Sequence, residues 1–506
     1  MWPKTLSELA QCISAPLEQL ATPHKIVQSL STDSRKVGSD QLFVAIRGET
    51  HDGHNFVEAA LKGGAVAALV EKGWLQSRPQ LAPQCLAVSD TTQAMRALGK
   101  AFRTDFTFPV IAVGGSNGKT TTKEMLACLL GALDAPVTRT HKSENGFLGL
   151  AITLTQKAHA RNIGTAALVA EIGIDDVGAM QEHVAIATPD IALLTALGPE
   201  HLAGLGSWDT AVKEELVLFR KAPSSCRRVW QCAEPRLLEV ISEIRENDVV
   251  VCEEPALQAI PTKARSLLDN RKTSLLTYSI LRQGATSSSV HAHWTPCTEA
   301  QQHSPWQADF EVALPGIHNA QNFALALATA ALLCPDVNKL TNAWKEFVPP
   351  EMRSRIIKLN GNVTLYDDCY NASPASMSAA FDALLAREWK NQHKILVLGD
   401  MLDLGEESKS WHLKLVEKLL KFENSHLCLF GSAMYDVYNE IKTKHSAAMR
   451  ASNIEMRHAA ADTDPASFMG ELSDSLRGSV ILVKGSRGMD LGRFVKSCEA
   501  WSSTQG

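Results

Sequence analysis

The sequence predicts an α/β protein of three domains, and three observations lead to that fold class. At 506 residues the chain is too long for a single ordinary hydrophobic core. Buried β-branched runs alternate with helical patterns along most of the chain, which is typical of parallel sheets covered by helices. A glycine-rich turn near residue 115 joins one such strand to a helix, as phosphate-binding loops do.

We predict a small N-terminal αβ domain at 1–107, a central domain at 108–348 whose phosphate-loop parallel sheet carries helices on both faces, and a C-terminal Rossmann-like αβ domain at 349–506. Strands are predicted at 41–48, 65–72, 108–115, 165–174 and 190–198, and helices at 55–64 and 120–133. Residues 222–310 are predicted as antiparallel strands and loops, followed by a long apolar helix within 314–333 and a linker at 347–352. Four further strands are predicted at NVTLYDD, KILVLGD, HLCLFGS and SVILVKGS.

The composition favours small-molecule chemistry. Hydrophobic residues make up 45% and charged residues 21% of the chain, as in soluble globular proteins, and the net charge of -5 gives no basic surface for nucleic acid. We find neither a secretion signal nor an apolar run long enough to span a membrane. Eleven cysteines without CxxC pairs predict reduced thiols, so we expect a cytoplasmic protein, and a monomer.

The segment VGGSNGKTTTKE carries the strongest chemical signal. It matches the Walker pattern G-x-x-x-x-G-K-[ST] except that Val113 stands where the first glycine belongs. A strand, an inward-facing glycine turn and a helix N-terminus are all that phosphate binding requires, and an ordinary glycine-rich turn is the alternative. The predicted nucleotide contacts are Gly114, Gly115, Ser116, Asn117, Gly118, Lys119, Thr120 and Thr121, of which Lys119 reaches the phosphates and Thr120 holds Mg²⁺.

Two polar residues follow neighbouring predicted strands. Glu171 ends ALVAEIG and His201 follows ALLTALG, so both emerge at the carboxyl edge of the sheet where the phosphate loop lies. A carboxylate and an imidazole there could hold a second Mg²⁺ beside the transferring phosphoryl group. Taken alone, each residue would more often be an ordinary surface or strand-end residue.

Beyond His201, the segment HLAGLGSWDTAVKEELVLF, together with the short loop GSNGKT, resembles the Mur ligase family. These ATP-dependent enzymes build the peptide stem of the bacterial cell wall, and the shortened loop is the family's own form. The resemblance implies ATP and Mg²⁺ as cofactors and His201 as a metal ligand. Lys119, Glu171, His201, Glu215 and Lys213 are the implied catalytic group.

Further motifs extend the resemblance along nearly the whole chain. STDSRKVGSDQLFVAIRGETHDGHNF is similar to the family segment that holds the UDP end of the substrate, which implies roles for Ser34, Arg35 and Arg47. IHNAQNFALA implies that His318 and Asn319 approach the adenine. LYDDCYNASPASM resembles the third-domain motif that completes the ATP site, so Arg355, Asp367, Tyr370 and Asn371 are the implied contacts there.

Two C-terminal segments, LGDMLDLGEES and VKGSRGMDL, resemble the family member that adds D-alanyl-D-alanine to UDP-N-acetylmuramoyl-tripeptide. Lys484, Ser486 and Arg487 are therefore candidate anchors for the acceptor carboxylate, the alternative being a loop that only caps its strand. SENGFLG departs from the family, which has two adjacent asparagines where Asn145 is followed by Gly146. Asn145 is the predicted contact to the muramoyl peptide.

A second departure concerns the carboxylate that most family members make by carbamylating a lysine with CO₂. Counting four residues back from Phe219 gives Glu215, and Lys213 lies two residues earlier. We predict that Glu215 supplies this carboxylate directly and holds the second Mg²⁺. The alternative is carbamylation of Lys213, with Glu215 as a solvated helix residue.

The resemblance implies that a peptide carboxylate attacks the γ-phosphoryl group of ATP, and that an amine then attacks the acyl phosphate. Lys119, the loop amides and two Mg²⁺ ions would meet the developing charge. Three readings remain open: another Mur ligase, a folylpolyglutamate synthase, against which the UDP-type N-terminal segment argues, or a nucleotide-driven switch protein without ligase activity. The sequence leaves the third residue of the tripeptide, lysine or diaminopimelate, undetermined.

Overall fold

The computed structural model describes residues 2–48, 51–140, 146–156, 164–298, 304–385, 389–464, 472 and 475–504. Its described strands form one two-stranded sheet and three larger sheets, which follow one another along the chain. The fold class is that predicted, a three-domain α/β protein with parallel sheets covered by helices. Within the described residues, no helix has the length and apolarity that crossing a lipid bilayer requires.

The first of the larger sheets is parallel throughout, in the order β3-β4-β5-β6. Strands of the N-terminal region are β1 (Lys4–Thr5), β2 (Ile26–Val27), β3 (Ser29–Ser31), β4 (Gln41–Val44), β5 (Ala67–Glu71) and β6 (Cys85–Val88). Its helices are α1 (Leu6–Cys12), α2 (Val57–Lys62), α3 (Lys72–Gln76) and α4 (Thr91–Arg103). All parallel strands point their carboxyl ends at one edge, where the predicted UDP-binding segment lies.

The central sheet has nine strands in the order β15-β14-β13-β12-β11-β10-β7-β9-β8. Its strands are β7 (Val110–Gly114), β8 (Val137–Arg139), β9 (Ala167–Glu171), β10 (Ile191–Leu194), β11 (Arg227–Gln231), β12 (Val249–Glu253), β13 (Ser274–Gln283), β14 (Ser288–Thr295) and β15 (Trp306–Val312). The helices are α5 (Lys119–Leu129), α6 (Phe147–Gln156), α7 (Ala179–Ala187), α8 (Leu202–Leu205), α9 (Trp208–Lys221), α10 (Pro235–Glu239), α11 (Thr262–Asp269), α12 (Ile317–Ala331) and α13 (Val337–Trp344).

The prediction for residues 222–310 is half right. β13, β14 and β15 pair antiparallel as expected. β11 and β12, however, are parallel strands that extend the main sheet. Both strands are buried on both sides, and VVVCE accordingly forms a continuous apolar run in place of an alternating pattern. RRVWQ is not apolar throughout, because its buried Arg228 pairs with Asp248.

Side chains of β7 show why helices cover both faces of this sheet. Val110 and Ala112 enter one apolar cluster, while Ile111 and Val113 enter another. Helices α6, α7 and α9 pack on the first face, and α5, α12 and α13 pack on the second. The predicted two-faced central sheet is therefore observed.

The C-terminal sheet has the order β16-β17-β21-β18-β19-β20 and is parallel except for β16. Its strands are β16 (Arg355–Leu359), β17 (Val363–Asp367), β18 (Lys394–Gly399), β19 (Ser425–Phe430), β20 (Ile454–Ala459) and β21 (Val480–Lys484). Its helices are α14 (Pro374–Leu384), α15 (Ser408–Leu413), α16 (Val416–Leu419), α17 (Ser432–Lys444), α18 (Ser446–Ala451) and α19 (Gly492–Ser503). All four predicted strands of this region are present, and β16 and β20 are additions.

The N-terminal and central regions share one apolar cluster, which includes residues from Trp2 to Ala264. Helix α4 packs closely on α6, because a Cβ at Gly99 would lie only 3.0 Å from the Cα of Ala151. Arg103 at the end of α4 donates to the carbonyl oxygen of Ala187. The junction between the first two sheets is thus a continuous hydrophobic core.

Candidate active site

The predicted phosphate loop joins β7 to α5 through residues 115–118. Gly115 (φ +110°) and Gly118 (φ +89°) have left-handed backbone conformations. A Cβ at Gly115 would lie 2.3 Å from Thr195 Oγ1, and one at Gly118 would lie 2.7 Å from Asn322 Oδ1. Neither position can therefore carry a side chain. Helix α5 starts directly after the loop, so its first-turn N–H groups, which have no intrahelical acceptor, face an incoming anion.

The loop forms one wall of a cavity of about 380 Å³ between the central and C-terminal sheets. Predicted site residues that line the cavity are Ser116, Asn117, Gly118, Lys119, Thr120, Thr121, Glu171, His201, His318, Asn319, Tyr370, Asn371, Lys484 and Arg487. Predicted site residues outside this lining are Gly114, Gly115, Lys213, Glu215, Arg355, Asp367, Ser486, Ser34, Arg35 and Arg47. Asn145 lies outside the described residues.

Lys119 is folded back onto its own loop. Its Nζ donates to the carbonyl oxygens of Gly115 (2.6 Å) and Ser116 (3.1 Å). Glu200 Oε2 lies 3.9 Å from this Nζ and has no hydrogen-bond partner within the described residues. Lys119 is buried, its two hydrogen bonds go to carbonyl oxygens, and its ion pair with Glu200 is long, so its ammonium group can exchange these partners for a phosphate.

Thr120 and Glu171 meet below the loop, as predicted from their positions at the sheet edge. Thr120 Oγ1 lies 2.9 and 2.8 Å from the two carboxylate oxygens of Glu171. Lys123 Nζ is 3.3 Å from Glu171 Oε2, and the Glu171 N–H donates to Thr140 Oγ1. Because a buried carboxylate needs a charge partner, Lys123 explains how Glu171 is tolerated at 1% exposure.

His201 lies at the N-terminus of α8 with a left-handed backbone (φ +53°). Its Nδ1 is 3.6 Å from Asp175 Oδ1 and its Nε2 is 3.7 Å from Glu200 Oε1. The imidazole is partly exposed to the cavity. In the part of the chain that the structure describes, no three His, Cys, Asp or Glu side chains already converge on one metal position.

Glu215 and Lys213 lie on different sides of α9. Glu215 is buried beneath the phosphate loop, where its Oε2 accepts a hydrogen bond of 2.8 Å from the Gly115 N–H. Burial raises the pKa of this carboxyl group to about 7, although the charge of Lys119 and the Gly115 hydrogen bond act in the opposite direction. Lys213 is exposed.

His318 and Asn319 begin helix α12 at the cavity wall. Gly316 precedes them with φ +91°, and a Cβ there would lie 2.5 Å from His318 Cε1, so the glycine makes room for the imidazole. Burial of the imidazole lowers the pKa of His318 to about 4, so the ring is neutral near pH 7. Asn319 Nδ2 donates to the Pro315 carbonyl oxygen, which fixes the turn into the helix.

Two guanidinium groups flank one aromatic ring on the C-terminal side. Arg353 lies 4.1 Å and Arg487 5.6 Å from the centroid of the Tyr370 ring, and Arg487 also donates to the Tyr370 hydroxyl. Arg355, the predicted residue, starts β16 opposite Asp367, whereas Arg353 lines the cavity. The intervening turn explains this offset, as Met352 and Ser354 both have positive φ.

The remaining predicted residues of this domain are buried and bonded within it, with Lys484 at the cavity wall and Ser486 and Asp367 behind it. Lys484 is buried and pairs with Asp368 Oδ2 at 2.6 Å. Ser486 Oγ accepts from the Leu402 N–H (2.8 Å) and lies 3.3 Å from the Ala372 carbonyl oxygen. Asp367 is buried, which raises its pKa. Arg487 is therefore the most accessible of the three predicted acceptor anchors.

The predicted UDP-binding residues lie at the carboxyl edge of the N-terminal sheet. Arg35 is largely exposed and bonds to Asp33 through both its backbone and its guanidinium group, which lowers the pKa of Asp33 to about 2. Arg47 is exposed and donates to Glu71 Oε2 at 2.9 Å. Ser34 follows in the same turn, half-buried. Two exposed guanidinium groups at this edge suit a diphosphate.

Sequence reasoning missed further residues that line the cavity, among them the polar residues Glu200, Arg353, Asp368, Ser373 and Asp403. Glu200 directly precedes the predicted His201, and Arg353 lies between the predicted linker and Arg355. Asp368 and Ser373 lie within LYDDCYNASPASM, and Asp403 lies within LGDMLDLGEES. The sequence motifs therefore identified the segments that form the cavity. Which side chain of each segment faces the cavity depends on the local backbone conformation.

Comparison with known families matches three stretches of the chain. Residues 26–103 match the Mur ligase family catalytic domain, residues 113–330 the Mur ligase middle domain, and residues 352–487 the Mur ligase glutamate ligase domain.

Among curated proteins, the UDP-N-acetylmuramoyl-tripeptide--D-alanyl-D-alanine ligase of Escherichia coli (strain K12) is 30% identical over 420 residues, covering 82% of each chain. The ligase of the same name from Bacillus subtilis (strain 168) is 28% identical over 501 residues, covering 97% of this chain and 98% of the relative. A crystal structure of MurF from Acinetobacter baumannii shares the fold with a TM-score of 0.74 at 23% identity, covering 98% of this chain and 99% of that one. MurF from Thermotoga maritima in complex with ADP has a TM-score of 0.67 at 22% identity, covering 94% of this chain and 98% of that one.

Proposed function

Because the chain belongs to the Mur ligase family, we propose that it joins D-alanyl-D-alanine to UDP-N-acetylmuramoyl-tripeptide. It is an ATP-dependent carbon–nitrogen ligase that acts in peptidoglycan biosynthesis. The observation that carries this specific proposal is the assembly of one cavity from the phosphate loop and the third-domain motif. The nucleotide would bind at the phosphate loop. The reacting carboxylate and amine would meet between the loop and the third-domain motif.

ATP would place its phosphates against the loop and the N-terminus of α5. Lys119 would exchange the carbonyl oxygens of Gly115 and Ser116 for phosphate oxygens, which form stronger charge-assisted bonds. His318 and Asn319 would receive the adenine. A neutral imidazole suits this role, since it can stack on a base without adding charge.

Mg²⁺ fits the residues beside the loop. The Thr120 hydroxyl, the Glu171 carboxylate and Glu200 Oε2 offer the oxygen ligands that Mg²⁺ prefers, and His201 adds an imidazole. Within the described residues, Glu200 Oε2 accepts no hydrogen bond and has only the long ion pair with Lys119. When bound, the ion supplies positive charge to phosphate oxygens. A carboxylate at the position of Glu200 would otherwise repel a nucleotide, which supports a cation in this place.

Glu215 remains our candidate for the carboxylate that relatives make by carbamylation. Its burial below the loop supports this choice over Lys213, which is exposed. To contact a metal ion directly, the Glu215 carboxylate would have to leave the Gly115 N–H. With that bond intact, it holds the loop in shape from below.

The UDP moiety of the donor would bind to Ser34, Arg35 and Arg47, and its peptide would extend from there towards the cavity. Arg487 would hold the acceptor carboxylate, since it is exposed at the cavity and is oriented by Tyr370. Lys484 and Ser486 would position this segment from behind, because their polar atoms are already bonded within the domain.

In the proposed reaction, the terminal carboxylate of the tripeptide attacks the γ-phosphorus of ATP and releases ADP. The acceptor amine then attacks the acyl phosphate, and inorganic phosphate leaves as the amide forms. Lys119 and the loop N–H groups stabilise charge on the phosphoryl oxygens. Closure of the domains around bound substrates would exclude water, which would otherwise hydrolyse the acyl phosphate.

We also propose that the enzyme is a cytoplasmic monomer. All eleven cysteines are free thiols, which supports a reducing compartment.

The decisive experiment measures phosphate release with ATP, a panel of UDP-muramoyl peptides and several D,D-dipeptides. We expect release only when nucleotide, tripeptide precursor and D-alanyl-D-alanine are all present, with stoichiometric pentapeptide detected by mass spectrometry. Release that continues without the donor or the dipeptide would instead identify a nucleotide-driven switch.

A further inference from the structure

Asp403 differs from the other carboxylates that line the cavity. Its side chain is exposed and, among the residues that the structure describes, it forms neither a hydrogen bond nor an ion pair. The other four each lie beside a polar or charged side chain, in the pairs Glu171 with Lys123, Asp175 with His201, Glu200 with Asn371, and Asp368 with Lys484. The Asp403 carboxylate can therefore receive a cationic group of a substrate without losing a protein partner.

Two hydrogen bonds tie the loop of Asp403 to the loop of Arg487. The Ser486 N–H donates to the Asp400 carbonyl oxygen at 3.1 Å, and the Leu402 N–H donates to Ser486 Oγ at 2.8 Å. These loops follow the neighbouring parallel strands β18 and β21, so both leave the same edge of the C-terminal sheet. Asp403 and Arg487 line one cavity, yet they form no ion pair with each other in the described part of the chain. Two opposite charges held apart in this way suit a ligand that carries one charge of each sign.

The backbone of Asp403 contacts the segment that carries His201. Its carbonyl oxygen accepts a hydrogen bond of 3.3 Å from the Ala203 N–H, in helix α8. This helix begins directly after His201, which also lines the cavity. Asp403 thus lies on the part of the C-terminal domain that meets the residues proposed to hold the metal ion and the transferring phosphoryl group.

The acceptor dipeptide has the charges that such a pair would bind. D-alanyl-D-alanine carries an ammonium group, whose nitrogen reacts, and a carboxylate, which does not. The two ends of an extended dipeptide are about 7 Å apart, so they require different side chains. An α-amino group has an ordinary pKa of about 8 and is mostly protonated near pH 7, where a carboxylate forms a charge-assisted hydrogen bond with it.

We propose that Asp403 binds the reacting amino group of D-alanyl-D-alanine while Arg487 binds its carboxylate. The inference rests on the proposed function, because it completes the acceptor site of that reaction. Once the ammonium group has lost a proton to water, the neutral amine still donates an N–H to Asp403, and its lone pair is directed away from the carboxylate. The nitrogen then attacks the acyl carbon, the bond from that carbon to the phosphate oxygen breaks, and the departing phosphate takes up the second proton.

Two variants isolate the charge of Asp403. Asp403→Asn keeps the shape of the side chain, and asparagine tolerates a left-handed backbone as aspartate does, so φ +62° at this position can be retained. Glu406→Gln is the matched control, because it also removes an exposed carboxylate from the same segment, but outside the cavity lining. Thermal unfolding and circular dichroism of both variants should match those of the unmodified chain.

Steady-state kinetics of the full-length protein give the first readout. We expect Asp403→Asn to raise KM for D-alanyl-D-alanine about tenfold or more, as loss of one charge-assisted contact does, with KM for ATP and for the UDP-tripeptide within about twofold. All three KM values should stay within about twofold in Glu406→Gln.

Inhibition by propionyl-D-alanine, which keeps the amide and carboxylate of the acceptor but lacks its amino group, separates binding of the amine from a change in the shape of the site. Its inhibition constant should stay within about twofold in Asp403→Asn, because the group that Asp403 binds is missing, and should rise about tenfold in Arg487→Ala. An unchanged acceptor KM in Asp403→Asn, or an equal weakening of dipeptide and propionyl-D-alanine, would overturn the role of Asp403 while pentapeptide formation still supports the proposed function. If the unmodified chain forms no pentapeptide from D-alanyl-D-alanine, the proposed function is wrong and the assignment of Asp403 falls with it.

Discussion

Glu215 is the buried carboxyl group whose environment makes the sharpest quantitative prediction. It is 2% exposed beneath the phosphate loop, and its pKa is raised from 4.5 to about 7. The folded chain then binds the Glu215 proton more tightly than the unfolded chain does. Between the unfolded pKa and the folded pKa of Glu215, the folded state binds more protons than the unfolded state, so the free energy of unfolding falls as pH rises.

A tenfold change in proton affinity corresponds to about 1.4 kcal/mol, so ionised Glu215 destabilises the fold by about 3 kcal/mol above pH 7. Glu215→Gln has nearly the same shape, its amide oxygen can still accept from the Gly115 N–H, and it cannot ionise. The variant should therefore be more stable than the unmodified protein at high pH. From pH 5.5 to pH 8 this advantage should grow by about 2 kcal/mol.

Urea unfolding followed by circular dichroism measures this difference, with EDTA present so that no divalent cation contributes. Lys213→Gln is the matched control, because it also removes one charge from α9 but at an exposed position. Its stability relative to the unmodified protein should change little between the two pH values. If the free energy of unfolding of Glu215→Gln exceeds that of the unmodified protein by the same amount at both pH values, Glu215 does not titrate in a desolvated environment and the reasoning fails.

The other predictions concern the reaction. Lys119→Met should lower kcat by at least about a hundredfold, as loss of a preorganised charge at a phosphoryl group does, while circular dichroism stays unchanged; activity within about tenfold of normal would contradict its assigned role. Activity of the unmodified enzyme should not respond to removal or addition of bicarbonate, because Glu215 already carries a carboxylate; bicarbonate stimulation that disappears in Lys213→Gln would show that Lys213 is carbamylated. Arg487→Ala should raise KM for the acceptor dipeptide about tenfold or more, with KM for ATP nearly constant, since one charge-assisted contact is lost; an equal rise in both KM values would place Arg487 on the nucleotide.

Much of the fold could be predicted because its signal is local. β7 and α5 follow directly from a buried β-branched run, a glycine turn and a helical pattern. β11 and β12 were missed as parallel strands, because a short apolar run does not reveal its pairing direction. That direction follows from the connections, since α8 and α9 between β10 and β11, and α10 between β11 and β12, carry the chain back so that each next strand enters parallel.

In the candidate active site, too, some contacts could be predicted from the sequence and others could not. Thr120 and Glu171 meet as expected, because strand ends in a parallel sheet share one edge. The choice between Arg353 and Arg355 depends on two left-handed residues in the turn before β16, which no motif spacing encodes. Glu215 and Lys213, by contrast, are two positions apart on a helix and so face about 200° apart, which periodicity alone could have used to separate them.

The apolar core shared by the N-terminal and central sheets sets the order of events that a catalytic cycle can have. Separating these two sheets would expose Trp2, Phe102 and the contact between α4 and α6 to water. Donor and nucleotide would consequently bind to two domains that are already packed together. The C-terminal domain, which we propose binds the acceptor, would be the part that moves. Such an enzyme can release its product by rotating the C-terminal domain about the predicted linker at 347–352. The two sheets that we propose bind the next donor and nucleotide then stay packed together.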